Sequence, residues 1–97
     1  MPNITRTHGE TKGRYSLVRD GAEAEAEAEL TYSILSPTRI IADHTGVPDA
    51  LRGTGAGVEL VQRLVADARA EGVKITALCP FVRAQARKHP ERADVFD

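Results

Sequence analysis

The sequence predicts one α/β domain of the α+β kind, in which an antiparallel meander of three strands is joined to one βαβ unit in the order β-β-β-α-β-α. Three observations lead to this prediction. A chain of 97 residues has the length of a single domain. Apolar and polar residues alternate strictly over 22–34, as in a half-buried antiparallel strand. An amphipathic helix follows a run of glycines at 53–57 and separates two predicted strands, which should therefore be parallel.

The composition restricts the class of function. Hydrophobic residues make up 41% and charged residues 28%, which is ordinary for a globular domain. The formal net charge of -1 gives no general attraction to nucleic acid or to an anionic membrane. One cysteine cannot form an internal disulfide, and no apolar segment has the length of a signal peptide or a membrane span. We therefore expect a cytoplasmic protein with neither a nucleic-acid nor a membrane partner.

The predicted elements follow one another without a linker that would divide the domain. Residues 1–13 are polar with little apolar periodicity, so we expect a flexible arm there and the domain over 14–97. The pair Asp20-Gly21 is typical of a hairpin turn, and Gly72 should end the long helix in a left-handed conformation. The other expected elements are strands over 14–19, 22–35, 39–47 and 73–79 and a final helix over 81–88.

The alternating Ala and Glu residues before Leu30 favour a strand although both residue types are good helix formers. Every second residue from Ala22 to Ile34 is apolar, and the carboxylates up to Glu29 occupy the other parity. This period of two predicts buried alanines and solvated glutamates, and we expect His8 to face solvent as well. The segment is longer than most strands, which predicts a bend or a bulge within it.

The glycine run Gly53-Thr54-Gly55-Ala56-Gly57 lies between a predicted strand and a helix. Free N–H groups and the helix dipole favour a phosphate-type anion there, and Arg52 adds a charge-assisted contact. The phosphate loop of nucleoside triphosphatases is excluded because Val58-Glu59 replaces the required Lys-Ser/Thr pair. A dinucleotide fingerprint is disfavoured because its sixth position is Val58, not glycine. A loop that only turns the chain tightly is the remaining alternative.

The pattern Arg52-x-x-Gly55-x-Gly57 resembles the pyrophosphate-binding motif of the GNAT superfamily of acyl-CoA-dependent N-acetyltransferases. The predicted element order matches the superfamily core. The strings HTGVP, LRGTGAG and ALCPFV together resemble its small single-domain family with a Cys-Pro-Phe motif, over about residues 14–97. This resemblance implies a GNAT-like mixed sheet that binds acetyl-CoA as the acyl donor, with the pantetheine arm between two splayed strands.

The resemblance also implies a set of cofactor-binding residues. Val47 would pair its backbone with pantetheine, and the amides from Gly53 to Gly57 would hold the diphosphate. Phe81 either packs the last helix against the sheet or lines the cofactor gap. The candidate cofactor residues are therefore Val47, Arg52, Gly53, Thr54, Gly55, Ala56, Gly57 and Phe81.

Cys79 and His44 are the candidate catalytic residues. Cys79 precedes Pro80 at a predicted helix start, where the dipole lowers a thiol pKa. It would accept the acetyl group, protonate the CoA sulfur, or simply be a small buried residue. His44 near the end of its strand would take a proton from an amine, or be a hydrogen-bonded wall residue on the face of Ala42 unless a bulge intervenes.

The tyrosine acid that the superfamily often supplies after the last core strand is absent, because Tyr15 and Tyr32 precede the glycine run.

The implied activity is acetyl transfer to an exposed amine: a protein lysine, a polyamine or a small amine. A partner protein or a second copy of the chain would complete an open acceptor side. The alternative is a catalytically weak CoA-binding or protein-interaction module. No metal site is expected, since three histidines and one cysteine lack ligand spacing.

Overall fold

Five strands and two α-helices make up the fold in the computed structural model, which describes residues 3–20 and 25–97. The strands are β1 (Asn3–His8), β2 (Lys12–Asp20), β3 (Glu25–Ser36), β4 (Arg39–Gly46) and β5 (Lys74–Ala77), and the helices are α1 (Ala56–Glu71) and α2 (Pro80–Lys88). The strands form one sheet in sequence order. Neighbours from β1 to β4 are antiparallel and β4 pairs in parallel with β5. The predicted mixed sheet is confirmed.

The prediction of a flexible arm over residues 1–13 is wrong for Asn3–His8, which form the edge strand β1. This strand pairs with β2 from Asn3 opposite Val18 to His8 opposite Gly13. Ile4 packs against the core, and Arg6 donates to the Glu71 carboxylate and the Tyr32 hydroxyl. A strand with only one apolar side chain shows no apolar period, so its sequence resembles a polar arm.

The alternation in β3 places its apolar residues in the core. Ala28, Leu30 and Tyr32 are fully buried, whereas Glu27 is exposed. The predicted irregularity within 22–35 is confirmed at Leu35, which has no partner between the pairs Ile34–Ile40 and Ser36–Arg39. The predicted turn at Asp20-Gly21 and the first alternating residues, 22–24, lie at or outside the limits of the described residues.

A second bulge lies in β4 and decides which side chains reach the site. Tyr32 pairs with Ala42 and Thr31 pairs with His44, so Asp43 is an extra residue in β4. Asp43 accepts a hydrogen bond from Ser33 at 2.7 Å, on the sheet face opposite to the buried Tyr32 and Ala42. Asp43 and His44 therefore share this outer face, and the residue after them returns to the face of Ala42.

Helix α1 covers the inner face of the sheet with an aliphatic stripe. The helix packs over β2 and β3, and its buried residues include Leu60, Val61, Leu64, Val65 and Ala68. Gly72 follows α1 with φ 69°, which confirms the predicted left-handed helix end. Within residues 3–20 and 25–97, no helix has both the length and the apolar character needed to cross a bilayer.

Candidate active site

The site begins where β4 and β5 separate. Their parallel pairing ends at Ala42–Ala77, after which β4 continues to Gly46 whereas the other chain turns into α2. The N–H groups of Leu78 and Cys79 both donate to the Ala42 carbonyl, at 3.1 and 2.9 Å. The two chains therefore diverge from this point. The start of α1 meets the gap and leaves a cleft of about 490 Å³.

Seven of the eight predicted cofactor residues line this cleft. Its walls come from the end of β4, the glycine run, the first turn of α1 and the start of α2. The lining residues are Thr45, Val47, Leu51, Arg52, Gly53, Gly55, Ala56, Gly57, Val58 and Phe81. Thr45, Leu51 and Val58 also line the cleft and were not predicted from the sequence. Leu51 and Val58 flank the glycine run and were detectable by proximity, whereas Thr45 reaches the cleft only through the bulge.

A row of backbone donors opens onto the cleft. Gly53 and Gly55 have φ of 80° and 82°, a left-handed conformation that glycine adopts without strain. In the described part of the chain, the N–H groups of Gly53 and of residues 55–58 have no protein acceptor. The helix N-cap is Gly55, which has no side chain to satisfy them. A helix start of this kind binds anions.

Thr54, the eighth predicted cofactor residue, has no free donor. Its N–H donates to the Leu51 carbonyl at 3.2 Å, and its hydroxyl donates to the same carbonyl at 2.6 Å. Its own carbonyl accepts a hydrogen bond from Arg19 at 3.1 Å. Thr54 therefore lies outside the cleft lining and its polar groups hold the loop in shape, and its role in cofactor binding stays a prediction.

Gly57 lets Val47 and Phe81 close over the start of α1. A Cβ atom at Gly57 would lie 3.0 Å from Cζ of Phe81 and 3.3 Å from Cγ2 of Val47. Phe81 is 37% exposed, so its ring forms the cleft wall as well as covering the helix. The Phe81 ring thus packs against α1 and lines the cleft, and its contact with a cofactor stays a prediction.

Cys79 is buried at the N-cap of α2, and its Sγ lies 3.4 Å from Oγ1 of Thr45. Burial raises the pKa of the Cys79 thiol. Hydrogen bonds from the Thr45 hydroxyl and from the backbone N–H groups of Val82 and Phe81 lower this pKa, and together they outweigh the effect of burial. The net pKa lies below that of an ordinary thiol, in the direction that the helix start predicted. Cys79 does not line the cleft itself but reaches it through Thr45.

His44 lies on the outer face of the sheet, is exposed, and does not line the cleft. The alternative role as a wall residue beside Ala42 is wrong, because the extra residue Asp43 turns His44 to the opposite face. Nε2 of His44 lies near Gly46, which pairs with Glu29. Thr45 points the other way, so the two predicted catalytic residues approach the end of β4 from opposite faces.

The described residues contain no group of three His, Cys, Asp or Glu side chains placed to hold a metal ion.

The basic residue predicted at the loop, Arg52, lines the cleft and pairs with Asp49 at 3.0 Å. Both of these side chains are largely exposed, at 75% and 92%, so water competes strongly for this ion pair. The Arg52 guanidinium is therefore available to an incoming anion.

Comparison with known proteins finds a matching protein family and similar solved structures. The family model for GCN5-related N-acetyl-transferases matches residues 14–95. The solution structure of a GCN5-like candidate N-acetyltransferase from Staphylococcus aureus, determined by NMR, is similar at 35% sequence identity with a TM-score of 0.70. That alignment covers 100% of this chain and 91% of the other. No curated protein matches the sequence.

Proposed function

The chain belongs to the GCN5-related N-acetyltransferase family, and from this premise we propose that its cleft binds acetyl-CoA and that the protein transfers the acetyl group to an amine. The observation that carries the proposal is the row of free N–H groups at Gly53 and residues 55–58 beside the cleft. Members of this family generally use acetyl-CoA, and the diphosphate of CoA is an anion of the kind that such donors bind.

The proposed cofactor position follows from the cleft walls. The diphosphate accepts from the free N–H groups at the start of α1, and Arg52 leaves Asp49 to contact it. The pantetheine arm passes between Val47 and Phe81 towards the point where β4 and β5 separate. This path brings the thioester to Thr45 and, behind it, to Cys79.

The proposed chemistry requires a deprotonated amine. The amine nitrogen attacks the thioester carbonyl carbon, a C–N bond forms, the C–S bond breaks, and CoA leaves as a thiolate that takes up a proton. Because His44 lies on the outer face and does not line the cleft, it takes this proton through bridging water at the end of β4, where its exposed side chain meets solvent. An exposed lysine or a polyamine fits this open approach, which a partner protein or a second copy would complete.

Cys79 has two possible places in this scheme. As an acid it donates its proton to the departing CoA thiolate. As an acyl acceptor its thiolate attacks the carbonyl carbon first, CoA leaves, and the amine then attacks the S-acetyl cysteine. The lowered pKa of Cys79 supports the acyl-acceptor route, because it increases the thiolate fraction near neutral pH.

The first experiment measures thiol release from acetyl-CoA with a panel of amines, beside CoA affinity by calorimetry. We expect His44→Ala to lower turnover about 100-fold with unchanged CoA affinity, and His89→Ala, which alters a histidine paired with Glu91, to leave both unchanged. CoA binding without thiol release would show the binding module instead. Failure to bind CoA would refute the whole proposal.

The second experiment concerns Cys79. Intact-mass analysis after incubation with acetyl-CoA should show one acetyl adduct, which Cys79→Ala lacks; no adduct in the native chain leaves only direct transfer. The rate of alkylation of Cys79 by iodoacetamide should rise at lower pH than for an ordinary thiol. Thr45→Val should move that rise to higher pH, because a hydrogen bond to the sulfur is lost, whereas Thr45→Ser should retain it.

A further inference from the structure

We propose that Arg19 is a positioning residue that orients the glycine loop for the diphosphate of CoA, an inference that rests on the proposed function. Arg19 lies on β2, and its guanidinium bridges to the start of α1. Nη1 donates to the Thr54 carbonyl at 3.1 Å, and Nη2 donates to the Glu59 carboxylate at 2.5 Å. These contacts join residues 35 and 40 positions apart in the sequence.

The geometry of one peptide unit explains how Arg19 acts. Every peptide bond in the described residues is trans, so the carbonyl of Thr54 and the N–H of Gly55 point in opposite directions. Because Arg19 holds that carbonyl, the Gly55 N–H is turned away from Arg19, and Gly55 lines the cleft. The flexible φ of glycine would otherwise permit the peptide unit to rotate.

Thr54 is fixed on its other side as well. Its N–H and hydroxyl both donate to the Leu51 carbonyl. The Thr54 carbonyl is the remaining polar group of this residue, and Arg19 is its partner. Among the described residues, Arg19 is the only hydrogen-bond partner of the peptide unit between Thr54 and Gly55, so its removal releases this unit.

Arg19 acts through the loop and does not bind the anion itself. It is absent from the cleft lining, and both terminal nitrogens are occupied by Thr54 and Glu59. The Glu59 carboxylate in the first turn of α1 balances the charge of Arg19. Arg19 is 29% and Glu59 is 28% exposed, so water screens this ion pair only partly. Without Arg19, this carboxylate would remain unpaired close to the bound diphosphate and repel it.

The test compares Arg19→Met with Arg14→Met, which removes the same charge from the same strand. Arg14 pairs with Glu27 and Glu29 on the outer face, away from the loop. We expect Arg19→Met to weaken CoA binding about tenfold, the usual size of an effect on ligand orientation, and to leave pantetheine binding unchanged, because pantetheine has no diphosphate. Arg14→Met should change neither affinity. If Arg19→Met does not fold, Arg19→Lys provides the same comparison with a smaller loss.

A second measurement separates orientation from a merely structural role. The Gly55 amide resonance should shift when CoA is added to the native chain and should shift much less in the Arg19 variants, whereas it should shift fully in Arg14→Met. If the native chain binds CoA no better than pantetheine, the proposed function fails. If the native chain discriminates the two and Arg19→Met discriminates them equally, or if Arg14→Met loses as much affinity, only the role of Arg19 is overturned.

Discussion

The two ends of α1 differ in whether their polar groups are hydrogen-bonded within the protein. At the C-terminal end, Arg6 donates to Glu71 and to the Tyr32 hydroxyl, and the Tyr15 hydroxyl donates to Asp67 at 2.8 Å. Burial, with the hydrogen bond to Asp67, raises the pKa of Tyr15, so this phenol remains a protonated donor. The buried polar groups at this end satisfy one another, which is how buried polar networks stabilise a fold.

At the N-terminal end, the donors of the first turn have no protein acceptor in the described residues, and glycine occupies the N-cap. Both ends belong to one 16-residue helix, so helix propensity does not explain the difference. From this contrast we infer that the tyrosine-arginine cluster (Arg6, Tyr15, Tyr32, Asp67 and Glu71) serves stability, whereas the proposed ligand would complete the loop end. Substitutions at the two ends should therefore affect different measurements.

The largest effect is expected for Gly57→Val. The new side chain would displace Phe81 and Val47 and fill the cleft, and overpacking of this kind costs about 1–3 kcal/mol. CoA affinity measured by calorimetry should fall by roughly 10- to 100-fold. The higher helix propensity of valine offsets only part of the overpacking cost, so the free energy of unfolding should fall as well.

The control for this substitution is Gly72→Ala at the opposite end of α1. It places a side chain in open space but at φ 69°, which should cost about 1 kcal/mol of folding free energy. CoA affinity should remain that of the native chain. Equal binding losses in both variants would show that CoA affinity follows general stability and would remove the contrast between the two ends.

An intermediate effect, on stability alone, is expected for Tyr32→Phe. The Tyr32 hydroxyl accepts from Arg6 at 3.0 Å and lies 2.6 Å from Nδ1 of His8. Its loss removes a hydrogen bond from the partly exposed Arg6 side chain, which should lower the free energy of unfolding by about 1 kcal/mol in urea titrations. A change in CoA affinity that exceeds twofold would contradict the assignment of this cluster to stability.

The smallest effect is expected for Glu71→Gln. The hydrogen bond from Arg6 lowers the pKa of Glu71 below its ordinary value of 4.5. The ionised carboxylate therefore contributes stability above that ordinary pKa, and this contribution is lost as the pH falls through the lower folded-state pKa. The contribution is small because the carboxylate is 44% exposed. Melting temperatures of the native chain and the variant should differ slightly at pH 7 and converge in acid; a constant difference would contradict this role.

The parts of the fold that many residues specify together were predictable from the sequence. The alternation up to Ile34 indicated β3, and the apolar stripe from Val58 to Ala68 indicated α1, because each period is repeated over several turns or residue pairs. The strand β1 was missed because Ile4 alone points to the core. The glycine run identified the cleft because its residue types are rare in helices and strands.

The parts of the site that depend on one residue or on distant contacts were not predictable. Because Asp43 is an extra residue in β4, His44 faces outward and Thr45 faces Cys79. The pattern of apolar and polar residues in the sequence does not indicate this bulge. The hydrogen bond from Arg19 to the Thr54 carbonyl joins residues 35 positions apart in the sequence, so only the folded chain reveals it. His8 was expected in solvent, and its ring is exposed, but its contact with the Tyr32 hydroxyl was not foreseen.

The extra residue in β4 also has a consequence for comparing this chain with its homologues. An alignment that treats 39–46 as an uninterrupted strand, or that closes a gap on the wrong side of Asp43, exchanges inward and outward positions for everything after Ala42. Residues equivalent to Thr45 would then be compared with residues equivalent to His44. Homologues should therefore be aligned here by structural superposition. An alignment that is wrong by one position would compare side chains from opposite faces of the sheet.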